Sequence, residues 1–446
     1  MQLTRLLAQG RISELVGDTG RDWDILYRTI GLHRIAQRHA KILEPQSRAF
    51  FQDYIDGINI FIERHPGDLQ KEFKLTGIGA EPWTIADSLS VLYYLSWDSS
   101  ANLESEVISQ MLVEKLGVER AKEIFPYKVN PDDPARSERV TSNLHRGSLD
   151  LGLEPDDRLT KLIGFTSHRL GSNNWVASAA LSANGNPILA NDPHLDARIL
   201  PGVWYPIGMV TPQTRSVGVT IAGLPGLAIG RTNHIAIGMT VAFGDTQDLY
   251  VETVDPENPA NYLEGNVSKP FSVIAETLRI RDETARTGVR EEVIRIRSTG
   301  RGPVVTDVLE GLETDRVFSL RWAAAESMQP SIGLRDLLLA RTVDDVHEFA
   351  GGLSMLVLNF VFADVEGNVG WRVSGSLPIR AGSDGALPRA VPDGADDWVG
   401  WIPVAEMPHA TNPERGWVGT ANQKTVGEDY PYYFSSYFAH NSATAG

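Results

Sequence analysis

Ser172 stands where a serine could be made into a nucleophile. It lies in Gly171-Ser172-Asn173-Asn174-Trp175, and a strand-like run from Val176 to Leu181 follows directly. A serine hydroxyl attacks poorly until a base takes its proton. His194, 22 residues further on in Asn191-Asp192-Pro193-His194-Leu195, can accept or donate a proton near neutral pH. It could also be a plain turn residue, or join Asp192 and Asp196 as a metal ligand. Ser167 and His168 offer an ordinary serine-hydrolase pair, but their adjacency suits a loop better than a triad. Asn359 sits alone in the apolar run Leu358 to Ala363. An amide there must find hydrogen bonds or cost about 1–3 kcal/mol. The chain has no cysteine, so disulfides, thiolate metal sites and a cysteine nucleophile are excluded. It also has no Gly-x-Ser-x-Gly elbow, His-Glu-x-x-His, Walker loop or Gly-x-Gly-x-x-Gly.

At this spacing the serine and histidine segments together resemble the self-processing acylases of the penicillin, cephalosporin and acyl-homoserine lactone acylase family, which are N-terminal-nucleophile hydrolases. The resemblance implies cleavage between Gly171 and Ser172, which frees the Ser172 α-amino group to act as the base. The ordinary pKa of such an amine, about 8, suits that work. It implies that His194 orients the amine and hydroxyl. Val241, within Gly238 to Asp248, would supply a main-chain N–H to the oxyanion hole, and Asn359 its side-chain amide. Arg380 would support the asparagine and the site entrance. Leu195 and Ile229 match positions that line the acyl pocket, and both are aliphatic. Asp245, Asp248 and the Gln247 carbonyl, with a helical glutamate, match a structural Ca²⁺ site. Glu106 fits that glutamate best and Glu104 is its rival. Hard oxygen ligands suit this ion. No organic cofactor is implied. The implied fold is α+β, a four-layer αββα sandwich with an N-terminal helical layer. The implied activity is hydrolysis of a linear acyl amide by an α/β heterodimer cut from one precursor. The alternative is an unprocessed scaffold that binds calcium or a partner without catalysis.

The bulk composition agrees with a globular enzyme. The 446 residues are 42% hydrophobic and 22% charged, and the formal charge is −16. So acidic a surface repels nucleic acid and anionic membrane, which makes neither an expected partner; the small-molecule acyl amide partner is what the resemblance implies. No apolar run approaches the ~18 residues of a membrane span.

Periodicity predicts helices over 3–16, 21–40, 45–63, 85–97 and 102–124, with Thr84 and Asn102 as N-caps. Residues 1–126 thus read as a helical unit. Residues 127–171, rich in proline and polar side chains, read as a linker ending at the Gly-Ser pair. From 172 to 446 the pattern is mostly strand. Asn184-Gly185 and Glu366-Gly367 mark hairpins, and short helices return near 332–339 and 343–349. Met1 to Ala8 lacks the long apolar core and cleavage site of a secretory leader and reads as a helix. By resemblance the setting is periplasmic or secreted. Family precursors usually begin with a strand before the helix that starts here, and continue beyond the point matching Gly446. The resemblance therefore implies a piece of a longer protein.

Overall fold

The computed structural model describes residues 1–66, 69–100, 103–118, 120–121, 171–194, 202–309, 316–381, 385–390, 397–423, 425–427 and 429–434. The expected linker lies outside these residues except for Gly171, as do Asn102, Ser167, His168, Leu195 and Asp196. Helix and sheet are mixed.

Most helices occupy the N-terminal part, with Leu334–Leu339 and Val343–Gly352 returning later as expected, and glycines divide the first ones more finely than periodicity suggests. The expected helix 3–16 stops at Gln9, because Gly10 takes a left-handed φ of 63° and caps it; a short turn, Ser13–Val16, follows. Gly31 at φ 85° likewise splits 21–40 into Arg21–Ile30 and Leu32–Ile42. Only glycine takes this conformation without steric cost, so it ends helices cleanly. Pro45, at the first helical position where its missing N–H costs nothing, opens Pro45–Arg64. Ile85–Ser100 begins with the Thr84 cap. The Asp87 carboxylate accepts the Thr84 N–H (2.8 Å), and Thr84 Oγ1 accepts the Asp87 N–H (3.3 Å). This helix is buried nearly all round, through Leu89, Val91, Leu92, Tyr93 and Trp97, and Leu103–Leu116 follows it.

The largest sheet has seven antiparallel strands. Their spatial order is His409–Thr411, Val369–Val373, Leu358–Asp364, Ile235–Val241, Ile229–Arg231, Arg215–Ile221 and Trp204–Val210. A second sheet has three: Trp417–Thr420, Ser172–Ala177 in the centre, and Ile188–Pro193. A third holds Gln247–Val254 against Val317–Trp322. Ser272–Arg281 and Val289–Ser298 form a long separate hairpin. The Glu366-Gly367 turn joins its two strands as expected, with Gly367 at φ 98°. The strand expected from Trp175 to Leu181 ends at Ala177, where Ala179–Leu181 turns as a 3₁₀ helix.

Strand Leu358–Asp364 is buried on both faces and shows the layering. Leu358, Phe360 and Phe362 pack into a core shared with the helices. The alternate residues Val361 and Ala363 pack with Val176 and Val418 of the three-stranded sheet. Asn359 shares their face, by the period of two. The layers thus run helices, large sheet, small sheet, and the last gap holds Asn359 and the Ser172 strand. The helices are tied to the sheets through main-chain atoms. Ser88 Oγ donates to the Gly223 carbonyl (2.7 Å) and Ser96 Oγ to that of Met355. Arg28 reaches the Thr277 carbonyl (3.0 Å), and His39 Nε2 lies 2.7 Å from that of Gln329.

Phe362 is fully buried, with the His347 ring edge-on at 4.8 Å. Phe362→Ala will cost about 3–5 kcal/mol in chemical denaturation, because the void cannot collapse between two sheet neighbours. A loss under about 1 kcal/mol would show that the layers repack freely.

Candidate active site

Ser172 is the first residue of the central strand in the small sheet. Alternation turns Ser172, Asn174 and Val176 inward and exposes Trp175. The peptide bond before Ser172 is held at both ends. The Gly171 carbonyl accepts the main-chain N–H of His194 at 2.9 Å. The Ser172 N–H donates to Asn422 Oδ1, and Asn422 Nδ2 donates to the Val241 carbonyl at 2.7 Å. His194 therefore meets the Gly171–Ser172 bond through its backbone. Its imidazole, 25% exposed, places Nε2 3.1 Å from the Asp192 carboxylate and 3.5 Å from Asn173 Nδ2. Asp192 and His194 pair with each other, and Asp196, the third residue of that candidate metal set, lies outside the described residues.

Val241 ends its strand opposite Leu358, and Asn359 lies opposite Thr240 on the neighbouring strand. The Asn359 side chain is fully buried. Its Oδ1 accepts from Trp371 Nε1 (3.1 Å) and its Nδ2 donates to Thr240 Oγ1 (3.3 Å). Thr240 Oγ1 lies 2.7 Å from Thr420 Oγ1, which donates to Asn174 Oδ1 at 2.6 Å. Asn174 Nδ2 then returns to the Asn359 carbonyl at 3.3 Å. Because Thr420 spends its proton on Asn174, Thr240 must donate to Thr420, and the bonds close into a ring with one sense. The ring orients the Asn359 amide and uses one of its two N–H groups. Sequence reasoning missed Asn174, Thr240, Trp371, Thr420 and Asn422. The available signals were Asn174 two residues beyond Ser172 on one strand face, and Thr240 beside Val241.

The expected cation ligands do converge. Asp245 and Asp248 are buried, and Glu106 reaches them from helix Leu103–Leu116, its Oε2 accepting the Leu249 N–H at 3.0 Å. Gln247 Oε1 accepts the Leu103 N–H (3.4 Å). Arg380 belongs to this group rather than to Asn359. Its Nε meets Asp248 Oδ2 at 2.7 Å and its Nη2 meets Asp245 Oδ1 at 2.8 Å. Trp398 Nε1 also donates to Asp248 Oδ2. Burial opposes the Arg380 charge, but Asp245 and Asp248 outweigh it and hold the guanidinium above its ordinary value. The Glu106 carboxyl is pushed well above its ordinary value, first by burial, then by Asp248 and Asp245. Glu106 Oε1 and Asp248 Oδ1 are buried without a hydrogen-bond partner among the described residues. The Glu104 side chain lies outside those residues. Ile229, on the large sheet, is half-buried.

The family model for penicillin amidase matches residues 1–442. The acyl-homoserine lactone acylase QuiP of Pseudomonas aeruginosa is 30% identical over 439 residues, an alignment covering 96% of this chain and 51% of the relative. Penicillin acylase 2 proenzyme of Pseudomonas sp. strain SE83 is 29% identical over 450 residues, covering 97% and 55%. Among solved structures, thermostable penicillin G acylase from Alcaligenes faecalis aligns with a TM-score of 0.50 and 24% identity, over 59% of this chain and 46% of that one. The chain spans about half the length of the curated relatives it matches.

A buried carboxyl with a raised pKa favours its protonated form in the folded state. Its contribution is fully present below the ordinary value of 4.5 and is lost as pH rises through the folded value. With a chelator present, Glu106→Gln should therefore melt increasingly above wild type as pH rises from about 4.5, since the neutral amide can keep the acceptor for Leu249 without the buried charge. A melting difference constant across pH would show that Glu106 carries no such cost.

Proposed function

The chain belongs to the penicillin amidase family, and from that premise we propose that it is the nucleophile-bearing part of a self-processing hydrolase of linear acyl amides. The observation that carries this reading is the grip on the Gly171–Ser172 peptide, with a donor on its carbonyl oxygen and an acceptor on its nitrogen. In the first reaction Ser172 Oγ attacks the Gly171 carbonyl carbon. Negative charge grows on the oxygen that the His194 N–H already contacts. The C–N bond breaks, the nitrogen keeps the electron pair and takes a proton, and an ester forms. Water hydrolyses the ester to leave a Gly171 carboxylate and a free Ser172 amine.

In the second reaction that amine takes the Oγ proton as Oγ attacks the substrate carbonyl, then passes it to the leaving nitrogen. The Val241 N–H and the second N–H of Asn359 are the proposed oxyanion donors. The support for Asn359 is that the ring fixes its amide beforehand, so little reorganisation is needed as charge develops. Water then releases the acid. His194 is assigned to orienting the amine and Arg380 to bracing the loop that carries Asp245. The relatives' names point to two substrate classes, acyl-homoserine lactones and penicillins. Ile229 and Leu195 favour an aliphatic acyl chain, with lipopeptides also in that class. The complete protein in this reading is a four-layer αββα sandwich and an α/β heterodimer.

A structural Ca²⁺ is part of the proposal. No three acids among the described residues are grouped as a ready-made metal site, and Arg380 already meets one oxygen of each aspartate; what supports the ion is the donor chemistry, since Glu106 Oε1 and Asp248 Oδ1 are buried hard oxygens with no hydrogen-bond partner among the described residues. Glu106, Asp245 and Asp248 would hold it. Bound there, it supplies charge neutralisation between the helices and the sheets.

Wild type should yield a new N-terminus at Ser172, read by intact mass and N-terminal sequencing, and Ser172→Ala should remain one chain. Cutting of Ser172→Ala at the same bond without added protease would sink the mechanism. Wild type that stays whole would favour the non-catalytic scaffold. Adding Ca²⁺ should raise the melting temperature by mass action, and Glu106→Gln should lose most of that increment. Equal melting with and without the ion would leave these carboxylates a salt-bridge cluster only.

A further inference from the structure

Asn422 is the one side chain in the described structure that bonds at once to the Ser172 nitrogen and to the Val241 peptide. It is nearly fully buried, at 4% exposed, and lies two residues past the end of the small-sheet strand Trp417–Thr420. Its backbone sits at φ 63°, in the left-handed region. Asparagine tolerates that region better than most residues, and such conformations gather at functional sites. Phe243, just past Val241, shares the conformation at φ 50°. Both amide atoms of Asn422 are committed, and the two bonds fix which way the group faces: Oδ1 to the Ser172 N–H, Nδ2 to the Val241 carbonyl.

We propose that Asn422 is the positioning residue for the Ser172 α-amine in the processed protein, and that it sets the amine's basicity; this rests on the self-processing reading. Before cleavage Oδ1 accepts the peptide N–H. After cleavage the same oxygen accepts one amine N–H, and the nitrogen lone pair is left to take the Oγ proton. A carbonyl dipole pointed at an amine stabilises its ammonium form, so Asn422 holds the amine pKa up. Through Nδ2 it also ties the amine's position to the peptide at the proposed oxyanion hole. The base is thereby held by an amide anchored on the Val241 carbonyl, one peptide beyond the proposed oxyanion donor.

The titratable groups on the packed elements are few. Strand Ile188–Pro193 and the residue after it bring Asp192 and His194, which pair with each other. Strands Ile235–Val241 and Trp417–Thr420 carry no ionisable side chain. On Leu358–Asp364 and Val369–Val373, Asp364 binds the Glu366–Asn368 turn and the Val343 N–H, and Arg372 binds the Val404 carbonyl. Asn422 is therefore the polar side chain whose replacement acts on the amine most directly.

The test is the pH profile of kcat/KM on a chromogenic acyl amide, after N-terminal sequencing has verified a free Ser172. Asn422→Gly removes the amide and keeps a backbone suited to φ 63°. Its acidic limb should move down by about half to one pH unit, with kcat reduced about ten-fold. Asn422→Asp keeps an oxygen at the amine and adds negative charge, so its acidic limb should move up by about one unit. Opposite shifts support the proposal, since a merely structural loss would lower the rate without moving the limb. No shift, or shifts of one sign, overturn it. If Asn422→Gly is left uncut, Asn422→Asp decides: an acidic limb at or below the wild-type position overturns the proposal. If wild type itself gives no new N-terminus at Ser172, the self-processing reading fails, whatever Asn422 does.

Discussion

An asparagine amide buried between two sheets has to be satisfied by the sheets themselves, and here this is done by a closed circuit of side-chain hydrogen bonds. Asn359 from the large sheet is met by Thr240 beside it, by Thr420 and Asn174 across the gap, and by Trp371 on its other flank. Each donor in the circuit has one acceptor. Opening it at any point would leave at least one buried polar group unpaired, at about 1–3 kcal/mol. The constraint fixes the register between the layers as well as the amide. A one-residue slip of the Ser172 strand would turn Asn174 and Ser172 outward together. The nucleophile and the amide facing it are thus held by the same bonds that hold the sheets.

The second polar centre works by charge. Asp245, Asp248 and Glu106 come from a loop, a strand and a helix, and Arg380 comes from a fourth element. Charges taken out of water are costly unless paired with good geometry. The guanidinium meets one oxygen of each aspartate, which meets that condition for two of the three acids. Glu106 is left with the raised pKa and the partnerless oxygen. The cluster is accordingly a place where a helix carboxyl and the acids of the sheet share one cation, Arg380.

Much of this was legible in the sequence, for reasons that differ by residue. Ser172 and Asn359 carry side chains whose chemistry singles them out in their motifs, whereas Val241, needed only for its main chain, is marked by the resemblance alone. The resemblance pairs Arg380 with Asn359, yet its guanidinium turns to Asp245 and Asp248, because a motif match along the chain does not say which way a side chain turns. Asn174, Thr240, Trp371, Thr420 and Asn422 read as ordinary strand and turn residues. Their roles arise only when two sheets stack, which no local pattern encodes. Strand pairs marked by Gly367 were found because the turn residue is itself the signal. Gly10 and Gly31 carried a signal of the same kind, but apolar spacing runs through them, and the spacing was weighed above the glycines. Ile229 could be placed on its sheet, whereas its companion Leu195 lies outside the described residues.

Beside the shared apolar core, the helices meet main-chain groups of the sheets and their loops: the carbonyls of Gly223, Met355, Thr277 and Gln329, and the Leu249 N–H. A backbone group is present whatever residue occupies the position. The sheet-side half of each such bond is therefore set by the path of the chain, and the helix-side half by its letters. A helical segment from a relative would dock on these same groups only if it carried donors in the places of Ser88, Ser96 and Arg28.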